Sequence, residues 1–501
     1  MSSRNRVTGM YSGMDTESII SQLVESRKTK VTNATKEQMT IKYKQDIWTD
    51  LNKKLKSLKS SVDAIKYKSA YLKKTTSVSD STYASVSTSD DAMYASQSLK
   101  VNSLAKAGYL TGAELKTTTT SEDGTTEKAT SATLLSDLGI EAGKSISITT
   151  GGTTTSVEIT EGMTINDLTT KLSDAGVNVN FDSASQRIFI GAKSTGADSD
   201  FSLGGDADTL KALGLSTDDG ATKIDGTDAE IVLNGATFTS SSNVFEINGL
   251  TITAKAETGD KEITLTTEND VSGIYDMIKN VITQYSEIIN EMDKLYNADT
   301  DTTYSPLTDE EKSAMSEYEI EKWDEKIKEQ VLAKDSTISN ISSTLENVFQ
   351  SGIEINGKTY YLANFGIETA GYFESADDEK HALHIYGDAD DSLYSSEENT
   401  LKNMISTDPE LVTDFFSALS KNLYTAMDSL SSKISGYRSY GSFYDDVKYK
   451  SDYSDYSTKI SELEEKLEDY EDKWYDKFSA METALAKMQS NSSAVTSLLG
   501  G

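Results

Sequence analysis

The sequence predicts an α+β multidomain fold, in which terminal coiled-coil helices and a helical bundle leg domain flank nested β-rich head domains. Two heptad patterns near the ends of the 501-residue chain and a strand-like middle lead to this prediction. Apolar side chains spaced three and four residues apart form a narrow strip on a helix, which suits burial against another helix. The N-terminal strip comprises Ile41, Trp48, Leu51, Leu55, Leu58, Val62 and Ile65, and Ile20 and Leu23 precede it. The C-terminal strip comprises Ile460, Leu463, Leu467, Tyr470, Trp474, Met481 and Met488.

The charges beside the two strips are opposite in sign. Residues 28–74 contain thirteen lysines and four acidic residues, whereas residues 459–480 contain eight acidic residues and four lysines. Opposite charges favour pairing of the first helix with the last over pairing of either helix with its own copy. We therefore expect the two ends to pack together, with the rest of the chain inserted between them.

The overall composition excludes several classes of protein. With 48 basic and 81 acidic residues, the net charge of -33 disfavours nucleic acid or an anionic membrane surface as a partner. The chain has no cysteine, which excludes disulfides and cysteine nucleophiles. No segment approaches the roughly 20 apolar residues that span a bilayer, so we expect no membrane insertion. The N-terminal residues also lack the apolar run of a conventional secretory signal.

The N-terminal part is predicted to change from helix to strand near residue 75. Residues 1–40 are expected to form a leg that is disordered at first and then helical, and residues 41–74 the first part of a helical bundle. From Thr75 the chain is rich in Ser, Thr and Val in short alternating runs, which is typical of strands. We assign residues 75–113 and 226–270 to a first β-rich head domain. Residues 114–225 form a second head domain inserted into it.

Local signals inside the head domains are specific. Gly151–Gly152 separates two alternating apolar runs and predicts a hairpin turn. Thr164 followed by Asp167 predicts a capped helix start, so that residues 145–190 form a ββαββ unit. Asn248–Gly249 predicts a second hairpin turn.

After residue 270 the pattern returns to helix. Residues 271–440 are predicted to complete the helical bundle, with one charged helix over about 308–334. Asp408–Pro409 supplies a helix cap and a first-turn proline, and the helix that follows is predicted to extend to Ile434. Residues 441–501 are predicted to form a C-terminal coiled-coil leg.

The sequence contains few candidate catalytic or metal-binding residues. His381 and His384 are the only histidines, and three-residue spacing in a predicted strand points them to opposite faces, which disfavours a shared metal. The glycine pairs match no phosphate-binding pattern, and no nucleophile motif is present. We therefore predict that the protein is not an enzyme and uses no cofactor and no metal.

Several segments resemble one protein family. GMYSGMDTESIISQLVESRK, followed by a heptad helix and SDSTYASVSTSDDA, resembles the N-terminal part of the bacterial flagellar filament cap family, hook-associated protein 2 or FliD. PLTDEEKSAMSEYEIEKWDEKIK, LKNMISTDPELVTDFF and the C-terminal KLEDYEDKWYDKFSAMETALAKMQSNSSAVTSLL are similar to its C-terminal half. ITEGMTINDLTTKLSDAGVNVNFDSASQRIFI is similar to a repeat of flagellins and hook-associated proteins. The resemblance covers about residues 10–110 and 225–501.

The resemblance implies a secreted, extracellular protein at the flagellum tip, which caps the filament and promotes folding and polymerisation of exported flagellin. Implied partners are further copies of the chain in a homo-oligomeric ring, flagellin, the hook–filament junction proteins and, before secretion, a flagellar export chaperone. The two apolar strips would carry leg pairing and filament contacts. The alternative is a tip adhesin that binds host mucin or glycans through the exposed head domains. The subunit number stays open.

Overall fold

The chain divides into two compact units in the computed structural model, which describes residues 10–118, 127–371 and 379–499. Both ends of the chain, Met1–Tyr71 and Val271–Gly501, form the first unit, and the middle, Leu72–Asp270, forms the second. The α+β multidomain fold class is thereby confirmed.

The helices lie mostly in the first unit. In chain order the described helices are α1 (Thr16–Ile65), α2 (Ile165–Asp174), α3 (Ala207–Ala212), α4 (Val271–Asn297), α5 (Asp309–Ser313), α6 (Glu317–Gln330), α7 (Ser336–Gln350), α8 (Thr400–Thr407), α9 (Pro409–Leu430) and α10 (Asp446–Leu499).

The strands lie mostly in the second unit. In chain order the described strands are β1 (Lys74–Val78), β2 (Ala84–Thr88), β3 (Ala95–Ser103), β4 (Tyr109–Thr111), β5 (Ser145–Thr150), β6 (Thr153–Glu158), β7 (Val177–Asp182), β8 (Arg187–Ala192), β9 (Phe201–Gly205), β10 (Thr222–Ile224), β11 (Ala229–Leu233), β12 (Ala236–Ser240), β13 (Val244–Ile247), β14 (Leu250–Ala254), β15 (Ile263–Asn269), β16 (Ile353–Ile355), β17 (Lys358–Tyr360), β18 (Ile367–Thr369) and β19 (Leu383–Ile385).

Helix α1 is continuous for 50 residues. It begins where the Asp15 carboxylate accepts a hydrogen bond from the Ser18 N–H. No glycine or proline interrupts Thr16–Ile65, so no break occurs at residue 40, where the sequence predicts a boundary between leg and bundle. The disorder predicted for the beginning of the leg falls partly on residues 1–9, which lie outside the described residues.

The core of the first unit lies between α1, α4, α7, α8 and α9. Large apolar side chains from all five helices form a single buried cluster. The α1 residues Trp48, Leu51, Leu55, Leu58 and Val62 are completely buried in it. This half of the N-terminal strip is therefore the wall of a globular core.

The single charged helix predicted over about 308–334 is wrong, because the segment forms two helices. Thr308 and Glu311 make one reciprocal cap at the start of α5. Ser316 and Glu319 make a second one at the start of α6. A capping box satisfies the first free N–H groups of a new helix, so the second box starts α6 after α5 has ended.

The end of α9 also differs from the prediction. The Asp408 side chain accepts from the Leu411 N–H and Pro409 occupies the first turn, which confirms the predicted start. The helix ends at Leu430 rather than extending to Ile434, which is exposed. The Arg438 guanidinium donates to the Leu430 carbonyl at 2.7 Å and so satisfies a carbonyl at the end of the helix.

The second unit contains two apolar cores. One core is enclosed by a five-stranded sheet of order β1-β15-β3-β11-β12 and a three-stranded sheet of order β13-β14-β2. The other lies in the inserted part, among the sheets β10-β4-β8-β7 and β6-β5-β9 and helix α2. The predicted ββαββ unit is thus divided between two sheets.

The local signals in this unit are confirmed. Strands β5 and β6 pair antiparallel around Gly151–Gly152, both at positive φ. The reciprocal cap of Thr164 and Asp167 starts α2. Asn248–Gly249, also at positive φ, joins β13 to β14.

The inserted part begins earlier than residue 114. Leu110 on β4 belongs to the core of the inserted part, although residues 75–113 are predicted as the first head domain. The bridge between Lys106 and Thr227 marks the place where the chain passes from one core to the other. Three-residue β4 is too short for its periodicity to show which sheet it joins.

Candidate assembly surface on the terminal helix pair

Helices α1 and α10 lie side by side and antiparallel; we call them the terminal helix pair. At one end the Asn52 side chain accepts from the Phe443 N–H at 2.9 Å. Further along, the Gln38 amide donates to the Tyr453 carbonyl at 3.2 Å. The predicted packing of the first helix against the last is therefore present in a single chain.

The end of the pair next to the bundle is closed by aromatic side chains. The Trp48 and Tyr444 rings are stacked, with centroids 5.6 Å apart and planes 5° apart. Tyr444 was not among the predicted residues, because it lies in the loop before α10, outside the heptad pattern. Stacked aromatic pairs contribute beyond the area they bury, so this contact helps to hold the start of α10 on α1.

The C-terminal strip is only partly covered by α1. The Arg27 guanidinium lies over the Tyr470 ring at 4.1 Å, and Trp474 contacts the rings of Tyr470 and Phe478. The Trp474 indole N–H is buried without a hydrogen-bond partner among the described residues. The half-buried members of the strip are Ile460, Leu463, Leu467, Tyr470, Trp474 and Met481. Met488 is 68% exposed.

The start of the N-terminal strip needs a correction. Ile20 is buried, but Leu23 is exposed and its neighbour Val24 is buried instead. Val24 follows Ile20 by four residues, close to one helical turn, and so lies on the same face as Ile20. Ile41 is half-buried.

A buried carboxylate fixes the far end of the pair. Glu482 on α10 is only 1% exposed. It accepts from the backbone N–H groups of Tyr11 at 2.7 Å and Ser12 at 3.2 Å, and also from the Ser12 hydroxyl. The Ser12 hydroxyl, with these N–H groups, lowers the pKa of Glu482 because such bonds favour the ionised carboxylate. No sequence signal singles out Glu482, because acidic residues also directly follow Leu463, Leu467 and Tyr470 in the same strip.

Two ion pairs of α1 lie outside the terminal helix pair. Lys36 pairs with Glu311 on α5 at 2.7 Å, and Lys59 with Asp428 on α9 at 2.7 Å. Their carboxylate partners are therefore on other helices of the bundle. The spacing of charges along the chain cannot show this, since it depends on which helices the bundle places beside α1.

Apolar side chains are exposed at the far end of the pair. Because α1 and α10 are antiparallel, the start of one lies near the last third of the other. The exposed apolar residues of these two segments are Met10, Tyr11, Met14, Leu23, Met488 and Val495. Exposed apolar side chains grouped at one end of an element are typical of a protein interaction site.

The two halves of the chain match models of one family. The model of the flagellar hook-associated protein 2 C-terminus matches residues 226–490, just over half of the chain, and that of its N-terminus matches residues 12–108. The chain belongs to the flagellar hook-associated protein 2 family. This confirms the resemblance to the filament cap family and places the protein with the bacterial flagellum.

Relatives are found across most of the chain. Flagellar hook-associated protein 2 of Halalkalibacterium halodurans is 24% identical over 417 residues, which cover 77% of each chain. The A-type flagellar hook-associated protein 2 of Pseudomonas aeruginosa is 22% identical over 400 residues, covering 74% of this chain and 75% of the relative. The solved D1-D2-D3 domains of the flagellar cap protein FliD from Escherichia coli are 18% identical with a TM-score of 0.44. That match covers 76% of this chain and 95% of the solved chain.

None of the described helices is both long enough and apolar enough to cross a membrane.

Proposed function

We propose that the protein caps the distal end of the flagellar filament and promotes folding and polymerisation of exported flagellin, without enzymatic activity. Family membership supports the flagellar role, and the terminal helix pair supports the mode of action. The observation that carries the proposal is the half-buried C-terminal strip. Its side chains remain partly exposed to solvent although α1 packs against α10.

The open strip fits a helical partner. Half-buried apolar positions repeating every three or four residues offer a groove for a further helix. Flagellin, further copies of the chain in a ring, the hook–filament junction proteins and an export chaperone are the partners consistent with the family. The residues that we assign to partner binding are the half-buried members of the C-terminal strip, whereas the buried residues of the N-terminal strip, from Trp48 to Ile65, hold the bundle together.

The adhesin alternative is not carried forward. Neither the relatives nor any observation on the described head residues favours a host ligand.

Cells that lack the protein test the proposal directly. They should release flagellin into the medium as unpolymerised monomer, and the wild-type gene should restore filaments. A variant with Leu463→Glu and Leu467→Glu adds two charges to the open strip and should be exported and folded but should not restore filaments.

The matched control is Ser454→Glu with Ser461→Glu, which adds the same charge at exposed positions of the same helix. It should restore filaments fully. Normal filaments in cells without the protein, or equal restoration by both variants, would contradict the cap proposal.

A further inference from the structure

Three elements of the first unit bring ionisable side chains together away from the terminal helix pair. Asp293 lies on α4, Glu346 on α7 and His381 just before β19. The Ser286 hydroxyl on α4 accepts from the Leu383 N–H at 2.9 Å and so fixes β19 beside α4. This contact places His381 above the two helices.

Asp293 is an unusual member of the α4 core face. It is 7% exposed and lies next to Met292 and four residues after Ile289, both of which are completely buried. An ionised carboxylate in such surroundings is costly unless a cation and hydrogen bonds compensate it. Asp293 therefore needs a partner of positive charge.

The three donor atoms are close enough to bind one ion. His381 Nδ1 lies 2.6 Å from Asp293 Oδ2 and 3.8 Å from Glu346 Oε1. All three donor atoms lie within 4.8 Å of one another. A tetrahedral Zn²⁺ with bonds of about 2.0–2.2 Å separates its ligand atoms by about 3.4 Å, between the two shorter distances found here.

The electrostatics of the cluster leave negative charge uncompensated. Burial raises the pKa of Glu346, and the charge of Asp293 raises it further, against the opposing effect of His381. Burial likewise raises the pKa of Tyr285, with Glu346 and Asp293 adding to it. Two carboxylates face a single imidazole, so the cluster contains more acidic than basic groups.

We propose that Asp293, Glu346 and His381 bind a divalent transition-metal ion of the Zn²⁺ class. One imidazole and two carboxylates are donors that suit such an ion, whereas a Ca²⁺ site is built from oxygen ligands alone. The bound ion fastens the segment before β19 to α4 and α7. Its role in this fold is structural, and it is independent of the cap function proposed above.

The surroundings provide access and support for the ion. A cavity of about 360 Å³, whose lining includes Glu346, His381 and Tyr285, opens beside the cluster and gives an entry path. Ser342 lies one turn before Glu346 on α7, on the same helix face. Its hydroxyl is buried with no hydrogen-bond partner among the described residues. A hydroxyl in this position is suited to orient a ligating carboxylate.

The test is a calorimetric titration of Zn²⁺ into the full-length chain, stripped with chelator and freed of any histidine tag, at pH 7.5. We expect one Zn²⁺ per chain and a rise of the melting midpoint on saturation, because the ion binds the folded state. A wild-type chain that binds no Zn²⁺ overturns the proposal without recourse to any variant.

Variants distinguish Zn²⁺ binding at this site from weak Zn²⁺ binding to the many surface carboxylates. His381→Gln and Glu346→Gln should each weaken binding by more than about 100-fold, beyond the loss typical of a supporting group. The matched control is His384→Gln, because His384 pairs with Asp391 at 2.7 Å instead. Equal binding by the wild type and His381→Gln, or equal losses in His381→Gln and His384→Gln, would also overturn it. The cluster would then be a direct contact of His381 with the two carboxylates and not a metal site.

Discussion

The bundle half of α1 and the distal half of α10 carry the same apolar spacing in different environments. Trp48, Leu51, Leu55, Leu58 and Val62 are completely buried in the core of the first unit, where α1 packs against α4 and α9. The strip from Ile460 to Met481 is half-buried beside α1. The difference shows that a heptad pattern identifies a face that packs, but not how many neighbours cover it. One strip is enclosed within the chain, and the other keeps partly exposed side chains.

The largest expected effect comes from Trp48→Ala. Removing a completely buried aromatic side chain costs about 3–5 kcal/mol. The free energy of unfolding from helical signal against denaturant should fall by this amount, while the strand-rich second unit, which has its own cores, keeps its signal. A loss below about 1 kcal/mol, the size typical of an average substitution, would mean that the N-terminal strip is no more important for stability than the half-buried C-terminal strip.

Trp474→Ala should affect assembly more than stability. Its side chain is half-buried, so we expect a loss of about 1–2 kcal/mol in the isolated chain, less than for Trp48. Filament length and swimming should nevertheless be reduced. Thr458→Ala, at an exposed position on the same helix, is the control. Normal motility of the Trp474 variant would mean that the open strip is not an assembly surface.

Glu482→Gln tests the contact that holds the far end of the terminal helix pair. The lost charge weakens the hydrogen bonds from Tyr11 and Ser12, so hydrogen exchange at these two amides should accelerate. Glu468→Gln, at an exposed position of α10, should leave them unchanged.

The contribution of Glu482 also has a defined dependence on pH. Its pKa is lowered in the folded chain, so the contribution is present above the ordinary value of about 4.3 and is lost as the pH falls through the lower folded value. Amide protection at Tyr11 that persists below this range would show that the carboxylate is not what holds the turn.

The smallest effect is expected for Met488→Ala. Met488 is 68% exposed, so its truncation should change the free energy of unfolding by less than about 0.5 kcal/mol. Thermal melting of the purified chain measures this. A larger loss would mean that α1 or a second copy already covers the end of the strip.

Local signals made much of the fold predictable. The cap of α2, the turn at Gly151–Gly152 and the start of α9 each depend on residues a few positions apart, and all three are confirmed. The same rule identifies the error in the charged segment. The second capping box, Ser316 with Glu319, marks the start of a separate helix in the sequence itself.

The tertiary contacts could not be read in this way. The spacing of His381 and His384 argues against a shared metal, and the two side chains do contact different carboxylates. Asp293 and Glu346 meet His381 only because α4, α7 and β19 converge, and no local pattern joins residues so far apart. The carboxylate partners of the α1 lysines and the role of Glu482 were missed for the same reason.

The stacking of Trp48 on Tyr444 has a consequence for the timing of folding. The second unit has all its residues once Asp270 has been synthesised, whereas the bundle still lacks the partner of Trp48. At about 5–20 residues per second, the 174 residues from Val271 to Tyr444 take roughly 9–35 s to be synthesised. Throughout that interval, part of the core that buries the N-terminal strip has not yet been synthesised. The strand-rich middle of the nascent chain can therefore fold before the bundle formed by its two ends is complete.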